Sequence, residues 1–135
     1  MSAAQEVKSE LRYTRDHEWA KPTEGELIVG ITPFAVEQLG DITMVNFDVE
    51  AGDSVEAGAV FGTVESVKTV SDLFAPVAGR VLRINPELDA KPELLNEDCW
   101  GAGWLLALEV EEGAVDDASL LDADQYRAHL ASASD

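Results

Sequence analysis

The chain has 135 residues, which fits one domain with a modest core, and 46% of them are hydrophobic, which argues against a disordered protein. Its formal net charge of −18 disfavours nucleic acids and anionic membranes as partners. Protein partners would present basic surfaces, unless the acidic residues serve only to keep the protein soluble. The single cysteine, Cys99, excludes an intramolecular disulfide and a cysteine-rich metal site.

Short strands dominate the prediction, and little helix is expected before the C-terminal region. Alternating apolar residues and closely spaced turn signals place strands at residues 11–21, 26–32, 41–49, 59–67, 69–75, 80–85 and 104–111. Leu27, Val29 and Ile31 share one face of their strand and are expected in the core. Val64, Val81 and Leu106 are expected there too. This pattern predicts a mainly β sandwich or barrel.

Two helices are predicted. The first begins at Thr32, a plausible N-cap followed by proline, and stops at Gly40. The second covers residues 117–133; Asp117 is its expected cap, and Asp122 is a second capping candidate. Short helical turns and loop are expected at residues 86–103, before the last predicted strand.

One lysine lies where the local sequence favours strand. Lys68 separates two segments rich in β-branched residues, so a hairpin would place its amine in solvent at the tip. The tip lacks the glycine or asparagine that tight hairpin turns prefer. A position that breaks a local rule without evident structural gain is a candidate functional site. The alternative is an ordinary solvated lysine.

No arrangement typical of a catalytic centre occurs in the sequence. A phosphate-binding loop and a nucleophile elbow are absent. His17 and His129 are far apart without ligand-like companions, which argues against a metal site. Residues 16–18, Asp-His-Glu, form either an acid–base cluster or a polar stretch of an edge strand. Cys99 lies among acids, which disfavour a reactive thiolate.

Several motifs together resemble the H protein family of the glycine cleavage system, from about residue 11 to residue 130. They are YTRDHEW (13–19), VGIT (29–32), EQLGD (37–41), FGTVESVKTVSDLFAPVAGRV (61–81), NED (96–98) and GWLLALEV (103–110). The resemblance implies a mainly β fold of lipoyl/biotinyl-carrier type. This is a flattened barrel-sandwich hybrid of two antiparallel sheets with short helices and a C-terminal helix. A flexible segment 1–10 would precede one lipoyl-carrier domain, 11–135.

The resemblance also implies site residues. Lys68 matches the lysine that carries lipoate through an amide bond. Glu65 matches the acid presented to the lipoylating enzyme, and Gly79 matches a glycine that helps set the hairpin. Glu18 and Asp72 match acids of the cleft that shelters the loaded arm. Charge-assisted hydrogen bonds to the cationic amine are the expected contacts there, and ordinary surface charge is the alternative.

The implied function is that of a carrier, not an enzyme. The lipoyl arm takes an aminomethyl group from a pyridoxal-phosphate glycine decarboxylase to a tetrahydrofolate-dependent aminomethyltransferase. A dihydrolipoamide dehydrogenase then reoxidises the arm. We expect a cytoplasmic protein, because the first ten residues resemble neither a signal peptide nor a transit peptide and no apolar run approaches a membrane span. A monomer without a metal site is also expected.

Three alternatives remain open. The chain could be a lipoyl domain of a 2-oxo acid dehydrogenase complex, although such domains are usually shorter and tethered to a catalytic domain. A biotin carrier would usually flank the lysine with methionines, whereas Val67 and Thr69 stand here. A non-acylated interaction module would use the acidic face alone, and it leaves the sequence around Lys68 unexplained.

Overall fold

The computed structural model describes residues 7–23, 25–111, 113 and 120–133. Its strands are β1 (Arg12–Tyr13), β2 (Glu18–Thr23), β3 (Glu26–Ile31), β4 (Ile42–Phe47), β5 (Ser54–Val55), β6 (Val60–Ser66), β7 (Val70–Phe74), β8 (Gly79–Ile84) and β9 (Leu106–Glu109). Its helices are α1 (Pro33–Leu39), α2 (Leu94–Glu97) and α3 (Ala123–Ala133), with a 3-10 turn at Pro86–Leu88.

The strands form two antiparallel sheets. A six-stranded sheet has the order β1-β2-β3-β9-β8-β5, and a three-stranded sheet has the order β4-β6-β7. One hydrophobic cluster draws side chains from both sheets, so they pack as a sandwich rather than a closed barrel. The predicted fold class is confirmed.

The core follows the predicted alternation. All six side chains expected to be buried are at most 2% exposed: Leu27, Val29, Ile31, Val64, Val81 and Leu106. Burying each such aliphatic side chain contributes about 1.5–3 kcal/mol relative to leaving it in water. The inward-facing side chains of the two sheets therefore hold the sandwich together.

Helix α1 forms as its sequence predicts. The Thr32 hydroxyl accepts a hydrogen bond from the Ala35 N–H at 3.4 Å, and Pro33 occupies the first turn. The helix ends at Gly40, whose φ of +82° is readily adopted only by glycine. This corner delivers the chain into β4, next to the Lys68 hairpin.

A second, largely aromatic cluster attaches α3 to the outer face of the six-stranded sheet. Tyr13 stacks on Tyr126 with ring centroids 4.5 Å apart, and Trp19 packs in the same cluster. Gly30 makes this packing possible, because a Cβ there would collide with the Trp19 ring. The helix thus covers the side of the sheet that faces away from the three-stranded sheet.

The helix predicted at residues 117–133 is not continuous, because residues 120–122 are not helical and α3 begins at Ala123. Leu121 exchanges two backbone hydrogen bonds with Tyr13, at 2.7 and 2.8 Å, which holds residue 121 extended. Asp122 caps α3 by accepting a hydrogen bond from the Gln125 N–H at 2.8 Å. Asp117 lies outside the described residues.

The strand predicted at residues 11–21 is instead two strands, β1 and β2, which pair with each other in antiparallel orientation. Pro22 and Thr23 continue β2 as partners of Leu27 and Glu26, so this strand runs two residues beyond the predicted end. Near the N-terminus, the Lys8 backbone both donates to and accepts from the Tyr13 hydroxyl, each at 2.7 Å. Contacts with β1 therefore begin at Lys8, and the flexibility of the segment 1–10 stays a prediction.

Candidate functional site

Lys68 lies at the tip of the β6–β7 hairpin, as predicted. The last paired residues of the ladder are Glu65 and Val70, and the Ser66 N–H donates to the Thr69 carbonyl at 2.8 Å. The Lys68 side chain is exposed. Within the part of the chain that the structure describes, its ammonium group has no hydrogen bond or ion pair. The amine is therefore accessible for acylation.

Ser66 explains how this turn forms without glycine or asparagine. Its Oγ accepts hydrogen bonds from the Lys68 N–H at 3.3 Å and the Thr69 N–H at 3.2 Å. A serine hydroxyl can supply such turn contacts in place of backbone groups. The interpretation that this turn lacks compensating structural contacts is therefore wrong, because the Ser66 hydroxyl supplies them.

Glu65 lies on the outer face of the three-stranded sheet, next to the tip. Its Oε2 accepts a hydrogen bond from Asn46 Nδ2 at 2.9 Å, which fixes the carboxylate. Its cross-strand partners, Met44 and Val70, are 49% and 60% exposed. An enzyme that approaches Lys68 would meet this acid between two apolar side chains. The recognition role of Glu65 stays a prediction.

Gly79 lies in the other sheet, at the first position of β8 and outside the Lys68 hairpin. A Cβ at this position would lie 2.6 Å from the Glu109 carbonyl oxygen. Close strand packing thus gives a structural reason for glycine. Its role in lipoylation stays a prediction, and any such role would act across the sandwich.

A cleft of about 240 Å³ opens between β7, the start of β2 and helix α1. It is lined by Asp16, His17, Glu18, Ile31, Ala35, Gln38, Leu39, Val64 and residues 69–73. The structure thus brings Glu18 and Asp72 to one cleft, although they are distant in sequence. The carboxylates lie among apolar side chains, and no lysine or arginine belongs to this lining set.

Glu18 is a buried acid, with only 1% of its surface exposed. Its Oε1 accepts a hydrogen bond from the Thr14 hydroxyl at 2.5 Å, and its Oε2 accepts one from the Phe74 N–H at 3.3 Å. Burial raises the pKa of Glu18 to about 7, although these two hydrogen bonds partly oppose the rise. Ordinary surface charge is therefore excluded for Glu18, whereas Asp72 is exposed.

His17 lines the cleft and also contacts helix α3. The sequence does not indicate this contact. The Nδ1 of His17 lies 2.8 Å from the Tyr126 hydroxyl, and its ring stacks on His129 at 5.4 Å. Its backbone φ is +71°, which is uncommon for a residue other than glycine. Burial, and secondly the charge of His129, lower the pKa of His17 to about 4. The imidazole is therefore neutral near pH 7.

Residues 16–18 do not form a polar stretch of an edge strand. Strand β2 lies between β1 and β3, and Asp16, His17 and Glu18 all face the cleft. The spacing of His17 and Tyr126, which is 109 positions, hid their contact from local patterns. Among the described residues, no group of histidine, cysteine and acidic side chains has the arrangement needed to hold a metal ion.

The described helices are too short or too polar to cross a bilayer. The longest of them, α3, has 11 residues and carries charged side chains.

Comparisons with known proteins agree on one family. Residues 11–133 match the model of the family described as glycine cleavage H-protein. A glycine cleavage system H protein from Magnetococcus marinus is 48% identical over 124 residues, which cover 92% of this chain and 87% of that protein. One from Bacteroides fragilis is 50% identical over 118 residues, which cover 87% of this chain and 92% of that protein.

A solved structure supports the same relationship. The crystal structure of a glycine cleavage system H protein from Mycobacterium marinum superposes with a TM-score of 0.82 at 38% sequence identity. The match covers 93% of this chain and 99% of that one. The similarity therefore extends over the fold and the hairpin that carries Lys68.

Proposed function

Because this chain belongs to the glycine cleavage H-protein family, we propose that it is a lipoyl carrier of glycine cleavage with lipoate in amide linkage to Lys68. One observation carries the assignment of the lysine. Lys68 is the exposed tip of a hairpin whose next residues, from Thr69 onward, line an acidic cleft. Members of this family are carrier components, so this chain is not itself an enzyme.

The residues around Lys68 fit a lipoyl group. Acylation of the Lys68 amine breaks no ion pair within the described residues, so attachment has little structural cost. The cleft, at about 240 Å³, is smaller than the roughly 300–1,000 Å³ typical of sites for drug-sized ligands. It suits the end of a narrow acyl chain better than a large coenzyme. Leu39, Val64 and Leu73 supply apolar walls for that chain.

When attached, lipoate supplies the sulfur that carries the aminomethyl cargo between enzymes. The chain's own task is to present the arm and to shelter the cargo. The lysine stem and the acyl chain give a reach of roughly 14 Å. An arm of that length, rooted at an exposed tip, can enter a partner's active site or fold back along β7 into the cleft.

Glu18 and Asp72 are proposed to hold the cationic amine of the cargo. The Thr14 hydroxyl and the Phe74 N–H orient the Glu18 carboxylate and leave it further acceptor capacity. A cation close to Glu18 lowers the pKa of its carboxyl group, so cargo docking favours loss of the Glu18 proton. Charge-assisted hydrogen bonds then form between the cargo amine and the buried Glu18 carboxylate.

The acidic surface defines the chemistry of the partners. At a net charge of −18, long-range attraction favours enzymes with basic rims around their active-site entrances. We assign this role to the lipoylating enzyme, the pyridoxal-phosphate glycine decarboxylase, the aminomethyltransferase and dihydrolipoamide dehydrogenase. Acylation removes the charge of Lys68 and makes the carrier one unit more negative.

Reconstitution with purified partner enzymes tests this function. The lipoylated carrier should support release of carbon dioxide from glycine by the decarboxylase, and a Lys68→Arg variant should not. The matched control is Lys91→Arg, which changes another exposed lysine to arginine and should keep full activity. Activity that survives Lys68→Arg would overturn the proposal.

A further inference from the structure

Asn96, in helix α2, connects two points of the corner between α1 and β4. Its Oδ1 accepts a hydrogen bond from the Ile42 N–H at 3.0 Å. Its Nδ2 donates to the Gly40 carbonyl at 2.9 Å. One side-chain amide therefore bridges residues 40 and 42, and the only residue between them is Asp41.

Asp41 in turn contacts the tip of the Lys68 hairpin. Its carbonyl accepts a hydrogen bond from the Val67 N–H at 3.1 Å, immediately before Lys68. The Lys68 stem lies over the same corner, because its Cε would be 3.5 Å from a Cβ placed on Gly40. Asn96 is thus connected to the tip through the backbone of Asp41 and makes no hydrogen bond to Lys68 within the described residues.

The regular ladder does not by itself hold this corner. The pairing between β4 and β6 shifts register between Ile42 and Met44, at the end of the sheet nearest the tip. Asn96 supplies a partner for the Ile42 N–H beside this irregularity. Its own backbone is anchored because the preceding residue, Leu95, is fully buried in the core.

We propose that Asn96 is a positioning residue for the Lys68 turn, which it orients through the 40–42 corner so that enzymes acting on the arm find it preorganised. The inference rests on the proposed lipoyl-carrier function. Among the described residues, Asn96 makes no hydrogen bond to Lys68 and does not line the cleft, so its hydrogen-bonded connection to the turn runs through the Asp41 carbonyl. No pattern around Asn96 in the sequence indicates this role, because both of its partners lie more than 50 positions away.

Three variants separate this role from general stability. Asn96→Ala removes both hydrogen bonds. Asn96→Asp keeps an acceptor for the Ile42 N–H but sets a carboxylate against the Gly40 carbonyl. The matched control is Asp98→Ala, because Asp98 is exposed directly after α2 and its carboxylate accepts a hydrogen bond from the Ala102 N–H at 3.0 Å, away from the corner.

The first measurement is residue-resolved amide hydrogen exchange on the unlipoylated chain. In Asn96→Ala the Val67 and Ile42 amides should exchange roughly tenfold faster than in the wild type, since two neutral hydrogen bonds are lost. In Asn96→Asp the Ile42 amide should stay closer to its wild-type rate. Asp98→Ala should leave both amides unchanged.

The second measurement is the kinetics of lipoate attachment with the carrier as varied substrate. For Asn96→Ala the KM should rise several-fold while kcat stays near the wild-type value, because docking rather than chemistry is impaired. Unchanged exchange at Val67, or faster exchange with an unchanged KM, would overturn the inference. Failure of the wild type to take lipoate on Lys68 would instead refute the proposed function, whereas the exchange experiment would still decide whether Asn96 orders the turn.

Discussion

Glu18 and Phe74 are 56 positions apart, yet the Glu18 carboxylate accepts a hydrogen bond from the Phe74 N–H at 3.3 Å. Glu18 belongs to the six-stranded sheet and Phe74 to the three-stranded sheet, so this bond links the two halves of the sandwich at the cleft. One buried carboxyl group therefore contributes both to the structure and to the proposed cargo site.

The first prediction concerns Glu18 and pH. Its pKa is raised from 4.5 to about 7 in the folded protein, so the fold binds this proton more tightly than the unfolded chain does. The associated stability is present below pH 4.5 and is lost as the pH rises through 7. A shift of this size corresponds to on the order of 3 kcal/mol.

Urea unfolding at a series of pH values checks this prediction. Glu18→Gln, which imitates the protonated acid, should be more stable than the wild type at pH 8 and nearly equal to it at pH 4. Parallel stability curves for the two proteins would show that Glu18 ionises in the fold as freely as an exposed glutamate.

The second prediction concerns His17, whose pKa is lowered from 6.5 to about 4 in the folded protein. The neutral imidazole is therefore favoured by folding, and the associated stability is present above pH 6.5 and lost as the pH falls through 4. His17→Asn should remove this acid sensitivity, because asparagine tolerates the positive φ and does not titrate.

The comparison for His17 is best made in a Glu18→Gln background, since Glu18 changes stability in the opposite direction between pH 4.5 and 6.5. Near-ultraviolet circular dichroism should report loosening of the Tyr126 environment on acidification when His17 is present. If the His17→Asn chain loses the same signal at the same pH, another group controls the docking of α3.

Much of the fold was accessible from the sequence because its determinants are local. The alternation of Leu27, Val29 and Ile31 defines one strand face, and the cap at Thr32 with the stop at Gly40 defines α1. The position of Lys68 between two β-branched segments was enough to place it at a hairpin tip. Each of these inferences uses residues within a few positions of one another.

The parts that were missed depend on contacts between distant residues. The stacking of His17 on His129 and the bridging by Asn96 are made by side chains that tertiary packing brings together. The late start of α3 has the same origin, because Leu121 pairs with Tyr13 and is thereby withheld from the helix. Helical periodicity in the sequence does not show that Leu121 has this alternative partner.

The third prediction concerns shelter of the cargo. Replacing Glu18 by Ala or Asp72 by Asn should speed the loss of ammonia and formaldehyde from the isolated loaded carrier. Each charge-assisted hydrogen bond contributes on the order of 1.5–3 kcal/mol, so decay should accelerate roughly tenfold or more. The assay follows release of both products with no aminomethyltransferase present.

Glu56→Gln is the control for this assay, because Glu56 is an exposed acid that does not line the cleft. It should decay at the wild-type rate. If all of these variants match the wild type, the two cleft acids play no part in protecting the cargo.

The fourth prediction concerns association with partner enzymes. With a net charge of −18, docking should be steered electrostatically and should weaken as salt is added. The KM of the decarboxylase for the lipoylated carrier should therefore rise with ionic strength. A KM that stays flat would assign the acidic surface to solubility alone.

The fifth prediction is the site of attachment, and mapping lipoate by peptide mass after expression with lipoate supplied tests the central claim most directly. The modification should occur on the peptide that contains Lys68, and it should disappear in Lys68→Arg, which should fold as the wild type does because this side chain is exposed. Lipoate found on Lys8, Lys21 or Lys91, with Lys68 unmodified, would contradict the account.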